Sequence, residues 1–399
     1  MKFNDNYNFK VTVIIPTFNR SEYLPQTLES ILNQTLCPAQ VIVVDDGSTD
    51  NTIQVIEPYL DRILFLSKEN GGKSSALNYA MQFIKYDYVW IFDDDDIACE
   101  NALELHFSAF KSNENVCFTY SRHYEANEVL DIYEESKIPK DVDFGLFQRL
   151  LLGCFILQQG MLVKTSCYIT LGGFDEELIR AQDYDMILRL SQFYHGKLID
   201  IPLTIRRHHK GMRGSSESKH KHIERYTVWN YYDQIIFCKL YEILKLTDYI
   251  YPGKHEIHCL NNELSPDLKK TALLYRICVM SRKGLWEYVL ADLDALGKNN
   301  YLNLSLEDKC NCQMTMAPPN PSVYEGLIKN VSLIRKINEI CSKSQMGHCL
   351  KIEFIKSFYY QLRKEKKLVF SILRCIFILL GFSELKYLIR RFLLIKSIS

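Results

Sequence analysis

The stretch Tyr88-Val-Trp-Ile-Phe-Asp-Asp-Asp-Asp-Ile97 joins a β-prone apolar run to four consecutive carboxylates. The apolar part predicts a buried strand of a parallel sheet. In open α/β sheets ligands bind at the carboxyl ends of the strands, which is where Asp93, Asp94, Asp95 and Asp96 stand. Adjacent carboxylates repel one another unless a cation or hydrogen-bond donors compensate their charge. An acidic surface turn is the alternative, but oxygen ligands at a strand end favour a hard cation such as Mg²⁺ or Mn²⁺.

Composition limits the classes of protein that this chain can belong to. Its 399 residues are enough for more than one domain, and 47% are hydrophobic, as in ordinary globular proteins. The formal net charge of +0 gives no global field that would attract nucleic acid. The 13 cysteines are scattered, and no second pair accompanies Cys310 and Cys312 to complete a zinc site. With a polar start over residues 1–8, this pattern predicts a reducing cytosol.

Upstream of the acidic run, apolar strands alternate with helical segments. This alternation predicts a mainly parallel, Rossmann-like sheet with helices on both faces. A further helix and strand follow the run, and the residues from 121 to 150 are mixed and acidic, which suggests a flexible flap. The predicted strands are Val11–Ile15, Val41–Val44, Ile63–Leu66 and Val116–Tyr120, in addition to the apolar run itself.

Each of three strands ends in acidic or polar groups: Thr17 and Asn19, then Asp45 and Asp46, then the acidic run. Carboxylates accept hydrogen bonds from nucleobases and ribose hydroxyls, but they repel phosphate unless a metal bridges the two. Other nucleotide folds fit less well. Lys73 follows two glycines, yet the first glycine of a P-loop is missing, and no G-x-G-x-x-G follows the first strand. The pattern therefore predicts a nucleotide diphosphate held through a divalent cation.

The same segments resemble the family 2 glycosyltransferases of the GT-A fold over residues 10–215. The resemblance lies in Pro16-Thr-Phe-Asn-Arg20, Val44-Asp-Asp-Gly-Ser-Thr-Asp50, Asn70-Gly-Gly-Lys73 with Ala76-Leu-Asn78, and the acidic run. It implies that Asp46 accepts from the nucleobase and that Pro16, Thr17, Asn19 and Lys73 line the nucleotide site. It also implies a D-x-D motif in which Asp93 and Asp95 bind metal and Asp94 lies near the ribose. A lysine at a helix N-terminus is well placed to contact an anion, although a solvated lysine is the alternative.

Ala181-Gln-Asp-Tyr-Asp185 opens a predicted helix and is the second chemical landmark. Inverting sugar transfer needs a base that removes the proton of the acceptor hydroxyl, and Asp183 is the candidate. An ordinary acidic residue in the first helical turn is the alternative. The family usually has Glu-Asp where this chain has Gln182-Asp183, which puts the donor-sugar contacts in doubt. Asp185 is expected to form a helix salt bridge.

Ile205-Arg-Arg-His-His209 and the Ser-rich segment from 210 to 216 resemble the Arg-x-His region of the family. Arg206 or Arg207 would bind the diphosphate, and we select Arg206 as the candidate. His208 would complete the metal site or contact phosphate, with a purely structural histidine as the alternative. The segment Leu157–Val163 would face the acceptor. The Q-x-x-R-W signature of processive relatives is absent, which favours transfer of a single sugar.

The composition changes near residue 226 and predicts three regions: a glycosyltransferase domain (1–225), a helical domain (226–360) and basic amphipathic helices (361–399). A helical hairpin is expected from Lys269–Ser281 and Leu285–Leu296. From residue 361 onward nine basic residues accompany two acidic ones. This pattern favours helices on the inner face of an anionic membrane, with a packed helix pair as the alternative.

The predicted function is therefore an inverting, metal-dependent transfer of one sugar from a nucleotide-diphosphate sugar, with a UDP-sugar as the first candidate. The acceptor would be a saccharide or a lipid-linked glycan in surface polysaccharide or glycolipid synthesis, and the enzyme would be cytoplasmic and peripheral to the membrane. A catalytically silent nucleotide-sugar-binding scaffold is one rival. A nucleotidyltransferase is another, but it would need a Gly-rich basic loop after the first strand, where Pro16–Arg20 stands.

Overall fold

The computed structural model forms two compact units, the first from the residues up to 209 and the second from those beyond 224. The predicted domain boundaries at 225/226 and 360/361 stay predictions. The Ser-rich segment 210–216 and the last predicted helix, Leu385–Ile395, lie outside the described residues. The structure describes residues 9–139, 145–209, 225–250, 264–299, 301 and 303–381.

Within these described residues, a nine-stranded mixed sheet runs through the first unit. Its strands are β1 (Val11–Thr17), β2 (Gln40–Asp45), β3 (Leu64–Ser67), β4 (Tyr88–Ile91), β5 (Ile97–Ala98), β6 (Phe118–Ala126), β7 (Ile132–Glu135), β8 (Met161–Lys164) and β9 (Gly196–Arg207). The order is β3-β2-β1-β4-β8-β6-β9-β5, and β7 pairs with β6. The four strands β3, β2, β1 and β4 are parallel, as predicted. Their carboxyl ends therefore meet at one edge, where the polar groups of the sequence motifs stand.

Beyond β4 the sheet departs from the predicted parallel arrangement. Strand β8 pairs antiparallel with both β4 and β6, whereas β6 and β9 are parallel. The predicted flap was wrong for residues 121–126 and 132–135, because β6 continues through Ala126 along β9 and β7 pairs beside it. The register of β6 against β9 shifts on both sides of Arg122, because Ser121, Arg122 and His123 pair with Ile199, Pro202 and Thr204; the extra residues of this irregularity are therefore on β9.

Helices cover the sheet because their apolar stripes pack on its buried faces. All seven residues of β1 are buried, and Trp90 of β4 is fully buried with its indole N–H donating to the Gln159 carbonyl at 2.7 Å. The GT-A-type architecture of the prediction is thus confirmed, with helices flanking the sheet. These helices are α1 (Leu24–Leu32), α2 (Thr52–Ile56), α3 (Lys73–Met81), α4 (Ala102–Lys111), α5 (Leu146–Leu152), α6 (Thr165–Thr170) and α7 (Gln182–Phe193).

The second unit is all-helical within the described residues. The predicted hairpin is confirmed as α9 and α10, and Gly284 turns between them at φ 74°. Five of its described helices begin at residues whose side chains cap the first turn: Ser265, Ser305, Asn320, Asn330 and Ser344. The helices are α8 (Arg225–Ile243), α9 (Pro266–Arg282), α10 (Trp286–Gly297), α11 (Leu306–Thr315), α12 (Pro321–Lys329), α13 (Val331–Cys341), α14 (Gln345–Leu362) and α15 (Val369–Leu379).

Helix α15 covers the apolar segment for which we predicted a position in the membrane interface. One face packs inside the unit, with Ile372, Cys375 and Leu379 buried and the Cys375 thiol 3.5 Å from the Ile328 carbonyl. Among the described residues, none of the helices has the length and sustained apolar character needed to cross a bilayer.

Candidate active site

The four carboxylates after β4 have four different environments. Asp93 is half-buried and accepts a hydrogen bond from Lys73 Nζ at 2.5 Å. Asp94 is buried beside Thr17 and Arg20. The Asp95 carboxylate lies 2.9 Å from His209 Nε2 and 3.9 Å from Arg20. The carboxylates of the run therefore have different partners, and residues from several parts of the chain compensate their negative charge. The run is not a uniform surface patch.

Asp96 is the anchor of the acidic run. Only 2% of the residue is exposed, and its two oxygens accept from different donors. Oδ1 accepts from the Arg207 backbone N–H at 2.8 Å, and Oδ2 accepts from the Gln159 side-chain amide. Its backbone carbonyl accepts from the Thr27 hydroxyl at 2.8 Å. These bonds fix the carboxyl end of the run against β9, the segment before β8, and α1.

Burial raises the pKa of Asp94 to about 7, and the neighbouring Asp95 adds to the increase, while Arg20 and the Thr17 hydroxyl oppose it. The physical cause is the loss of water around a carboxylate that also has like charges beside it. A carboxyl group of this kind is able to donate a hydrogen bond as well as accept one near neutral pH.

Lys73 connects the acidic run to the second landmark. It is the first residue of α3 and follows Gly72, whose φ of 87° and ψ of 166° are essentially restricted to glycine. Burial disfavours the charged ammonium group, but the charges of Asp93 and Asp183 outweigh that effect and raise the pKa of Lys73. The ammonium group is therefore held charged between the metal-motif carboxylate and the predicted base.

Asp183 lies half-buried in the first turn of α7, after Ala181 in a left-handed conformation at φ 59°. Burial raises the pKa of the Asp183 carboxyl, whereas Lys73 and a backbone bond from Tyr184 lower it. Asp185 makes the predicted helix salt bridge, with Arg189 at 2.6 Å. The two acids of α7 are thus distinct, since Asp185 is part of a helix ion pair and Asp183 interacts with Lys73 and Asp93.

Gln182 stands where the resembled family usually has glutamate. The residue is 8% exposed, and its Oε1 has no hydrogen-bond partner among the residues that the structure describes. A buried amide oxygen without a partner is unfavourable and is often explained by a group that the structure does not contain.

The predicted nucleobase ligand Asp46 is buried and organises the loop before α3. Its carboxylate accepts from the backbone N–H groups of Gly71 and Gly72, at 2.9 and 2.7 Å, and from Lys68 Nζ at 2.9 Å. These bonds place Gly72, and with it Lys73, next to the acidic run. A nucleobase contact by Asp46 stays a prediction, and it would have to share oxygens that already accept protein hydrogen bonds.

The predicted residues of the first strand end also hold this edge together. Pro16 is buried, and Thr17 at 2% exposure lies against Asp94. Asn19 adopts φ 54°, and its side-chain oxygen accepts from the Thr49 backbone N–H at 2.8 Å. The roles of these three residues in nucleotide binding stay predictions.

Arg206 and His208 are brought together by Glu125, which is not part of the acidic run. Arg206 donates to the two Glu125 oxygens at 2.8 and 2.5 Å, and His208 Nε2 lies 2.7 Å from Oε2. Burial raises the pKa of Glu125, but the bonds from His123, Arg206 and His208 outweigh it and lower the pKa to about 2. In this structure the histidine beside Asp95 is His209, one residue after the predicted one.

A divalent cation fits the chemistry of the acidic run. One oxygen each from Asp93, Asp95 and Asp96 lies within 4.8 Å of the others. Carboxylate oxygens suit Mg²⁺ and Mn²⁺, and an imidazole such as that of His209 is compatible with Mn²⁺. Because protein donors already bind both oxygens of Asp96, Asp93 and Asp95 are the better candidates for direct ligands.

The contacts of Gln159, Arg207 and His209 with the acidic run were not predicted, and Arg207 was considered only as an alternative to Arg206 at the diphosphate. That the segment Leu157–Val163 faces the acceptor stays a prediction; within it Gln158 and Gln159 are buried at 3% exposure, and the Gln159 side-chain amide donates to Asp96. Arg207 is also buried, donates from Nε to the Asp95 carbonyl at 3.0 Å and lies over the Tyr23 ring. The sequence offered one clue to Arg207: adjacent side chains of a strand point to opposite faces, so Arg206 and Arg207 of β9 could not both face the acidic run.

Comparisons with known proteins agree with this architecture. Residues 12–166 match the profile described as Glycosyl transferase family 2. The chain is 32% identical over 186 residues to a chondroitin synthase of Pasteurella multocida, covering 46% of this chain and 19% of that protein. It is 32% identical over 206 residues to an uncharacterized glycosyltransferase of Rickettsia typhi, covering 49% and 63%. The chain thus spans less than two thirds of either relative.

The fold was also compared with solved structures. The crystal structure of S. aureus TarS 1–349 in complex with UDP-GlcNAc aligns over 90% of this chain and 92% of that chain, with a TM-score of 0.48 and 16% sequence identity.

Proposed function

We propose that this chain, whose N-terminal unit carries a family 2 glycosyltransferase domain, transfers a single sugar from a nucleotide-diphosphate sugar to a saccharide or lipid-linked acceptor with inversion. The observation that carries the proposal is the position of Lys73, which interacts with Asp93 of the acidic run and with Asp183 of α7. Lys73 thus interacts with both the proposed diphosphate site and the proposed general base. The similarity to a chondroitin synthase supports a hexosyl donor.

Asp183 acts as the general base in this proposal. Its carboxylate takes the proton of the acceptor hydroxyl while the hydroxyl oxygen attacks the anomeric carbon and the bond to the diphosphate breaks. Burial raises the pKa of Asp183, which brings a carboxylate closer to the range in which a base is efficient. The positive charge of the adjacent Lys73 opposes this increase by favouring the ionised carboxylate.

Asp93 and Asp95, with His209 beside Asp95, would hold Mn²⁺ or Mg²⁺. The cation, when bound, would offset the negative charge of the diphosphate leaving group. The protein's own contribution is to fix the carboxylates through Asp96 and to keep Lys73 charged near the diphosphate. Asp94, Thr17 and Asp46 are proposed to contact the nucleoside, with UDP-sugars as the first donors to test.

The test is a donor screen with purified protein, in which nucleotide release and sugar transfer are measured with Mn²⁺, with Mg²⁺ and with a chelator. We expect turnover with one nucleotide-diphosphate sugar that depends on the cation. Asp183→Asn should lower turnover by about 10²–10⁴-fold, as for a removed general base. Asp185→Asn on the same helix is the matched control and should retain it. Metal-independent turnover, or full activity of Asp183→Asn, would reject the mechanism.

Gln182 supports a second candidate function, a catalytically silent nucleotide-sugar-binding protein, because the usual glutamate is absent. That function predicts cation-dependent binding of a nucleotide sugar without release of the nucleotide. The same screen distinguishes the two functions if thermal stabilisation by each nucleotide sugar is recorded beside turnover.

A further inference from the structure

Helix α15 presents an apolar face to solvent. Phe370 is 90% exposed, Phe377 is 73% exposed and Leu373 is 36% exposed. Their spacing of three and four residues places them on one side of the helix, opposite the packed side of Ile372 and Cys375. Soluble proteins rarely leave such a stripe uncovered unless it is an interaction surface.

Positive charge surrounds this stripe. Between residues 363 and 374 the chain has five basic residues and one acidic residue, Glu365, and all six are exposed. Just upstream, Tyr359 and Tyr360 are 51% and 57% exposed, with Arg363 and Lys364 over their rings at 5.4 and 4.6 Å. The basic residues are Arg363, Lys364, Lys366, Lys367 and Arg374.

We infer that the segment from Tyr359 to Phe377 docks the helical unit on the surface of an anionic lipid bilayer. Aromatic side chains that enter the boundary of the acyl chains, next to lysines and arginines that meet anionic headgroups, are the combination that holds a helix in a membrane interface. The 11 residues of α15 are far fewer than the ~20 needed to span a bilayer, so the helix lies in the membrane plane.

The positive charge of this surface favours an anionic membrane over a second copy of the chain as its binding partner. Two copies meeting through this face would bring two sets of positive charges together, whereas an anionic bilayer complements them. The inference uses the second unit alone and does not rest on the proposed sugar transfer.

The test is co-sedimentation of the full chain with vesicles of phosphatidylcholine, with and without 30% phosphatidylglycerol. We expect binding to the anionic vesicles that weakens as salt is raised. Phe370→Ser with Phe377→Ser should reduce the partition coefficient by about tenfold or more, and each Lys→Gln change at 364, 366 or 367 by about fivefold. Circular dichroism would verify that each variant is folded.

Leu306→Ser is the matched control. Leu306 is 85% exposed in the same unit but stands beside Glu307 and Asp308, so its loss should leave vesicle binding unchanged. Sedimentation velocity without lipid tests self-association. The inference is overturned if the chain does not bind anionic vesicles, if the double Phe variant binds like wild type, or if that variant only dissociates a dimer. Nucleotide release by the variants in solution, measured separately, keeps this result independent of the catalytic proposal.

Discussion

Replacing Asp96 tests the division of roles within the acidic run. In Asp96→Ala the Gln159 side-chain amide and the Arg207 backbone N–H lose their acceptors in a region where Asp96 itself is 2% exposed. Each buried donor left without a partner costs about 1–3 kcal/mol, so the free energy of unfolding of the first unit should fall by about 2–6 kcal/mol. Asp96→Asn retains one acceptor and should cost about half as much.

The assay is urea unfolding followed by tryptophan fluorescence. Trp229→Phe and Trp286→Phe leave the fully buried Trp90 as the one tryptophan, and Trp90 reports on the first unit. Asp93→Ala in the same background is the matched control. Its partner Lys73 is 26% exposed at the side chain and also interacts with Asp183, so the loss of Asp93 should change stability by about 1 kcal/mol or less while turnover falls. Equal stability of Asp96→Ala and Asp93→Ala would refute the anchoring role of Asp96.

Three further predictions concern stability. Burial lowers the pKa of His106 to about 3, so below pH 6.5 the unfolded chain gains a proton that the folded chain excludes. The contribution of His106 to the free energy of unfolding should therefore fall by about 1.4 kcal/mol for each pH unit below 6.5. Because Asp94, whose pKa is raised to about 7, contributes a slope of the opposite sign, the check is the difference between His106→Gln and wild type in urea unfolding, which should grow in favour of the variant from about pH 7 to about pH 5. Gly72→Ala should lower the free energy of unfolding by about 1–3 kcal/mol and should lower turnover, because it strains the backbone before Lys73. Gly326→Ala, in α12 with open space around it, should instead raise the free energy of unfolding by about 0.5–1 kcal/mol. Arg276→Met should destabilise the helical unit by about 3–5 kcal/mol in chemical denaturation, because it leaves Asp292 buried without its partner at 2.6 Å.

Convergence of the acidic strand ends could be predicted from sequence because it follows from geometry. Parallel strands joined by helices end at the same sheet edge, so Asp46 and Asp95 had to lie on the same side. The hairpin of α9 and α10 could also be predicted from the sequence, since apolar periodicity and Gly284 define it locally.

The hydrogen-bond partners of the individual carboxylates could not be predicted from the sequence. Asp96 depends on Gln159 and Arg207, which are distant in sequence and reach it only through the segment before β8 and through β9, in the part of the sheet beyond β4. Choosing His208 over His209 failed to anticipate the contact with Asp95 by one residue. The shift of register around Arg122 changes which residues of β9 face the site, and no local pattern announces such a bulge.

Binding of Mn²⁺ in the presence of UDP, followed by the loss of the free-ion electron paramagnetic resonance signal, tests whether the acidic run is the metal and diphosphate site. We expect wild type to bind about one Mn²⁺ per chain, Asp95→Asn to lose this binding, and Asp183→Asn to retain it while losing transfer. If wild type leaves the signal unchanged, or if Asp95→Asn binds Mn²⁺ as wild type does, the acidic run is not the metal and diphosphate site.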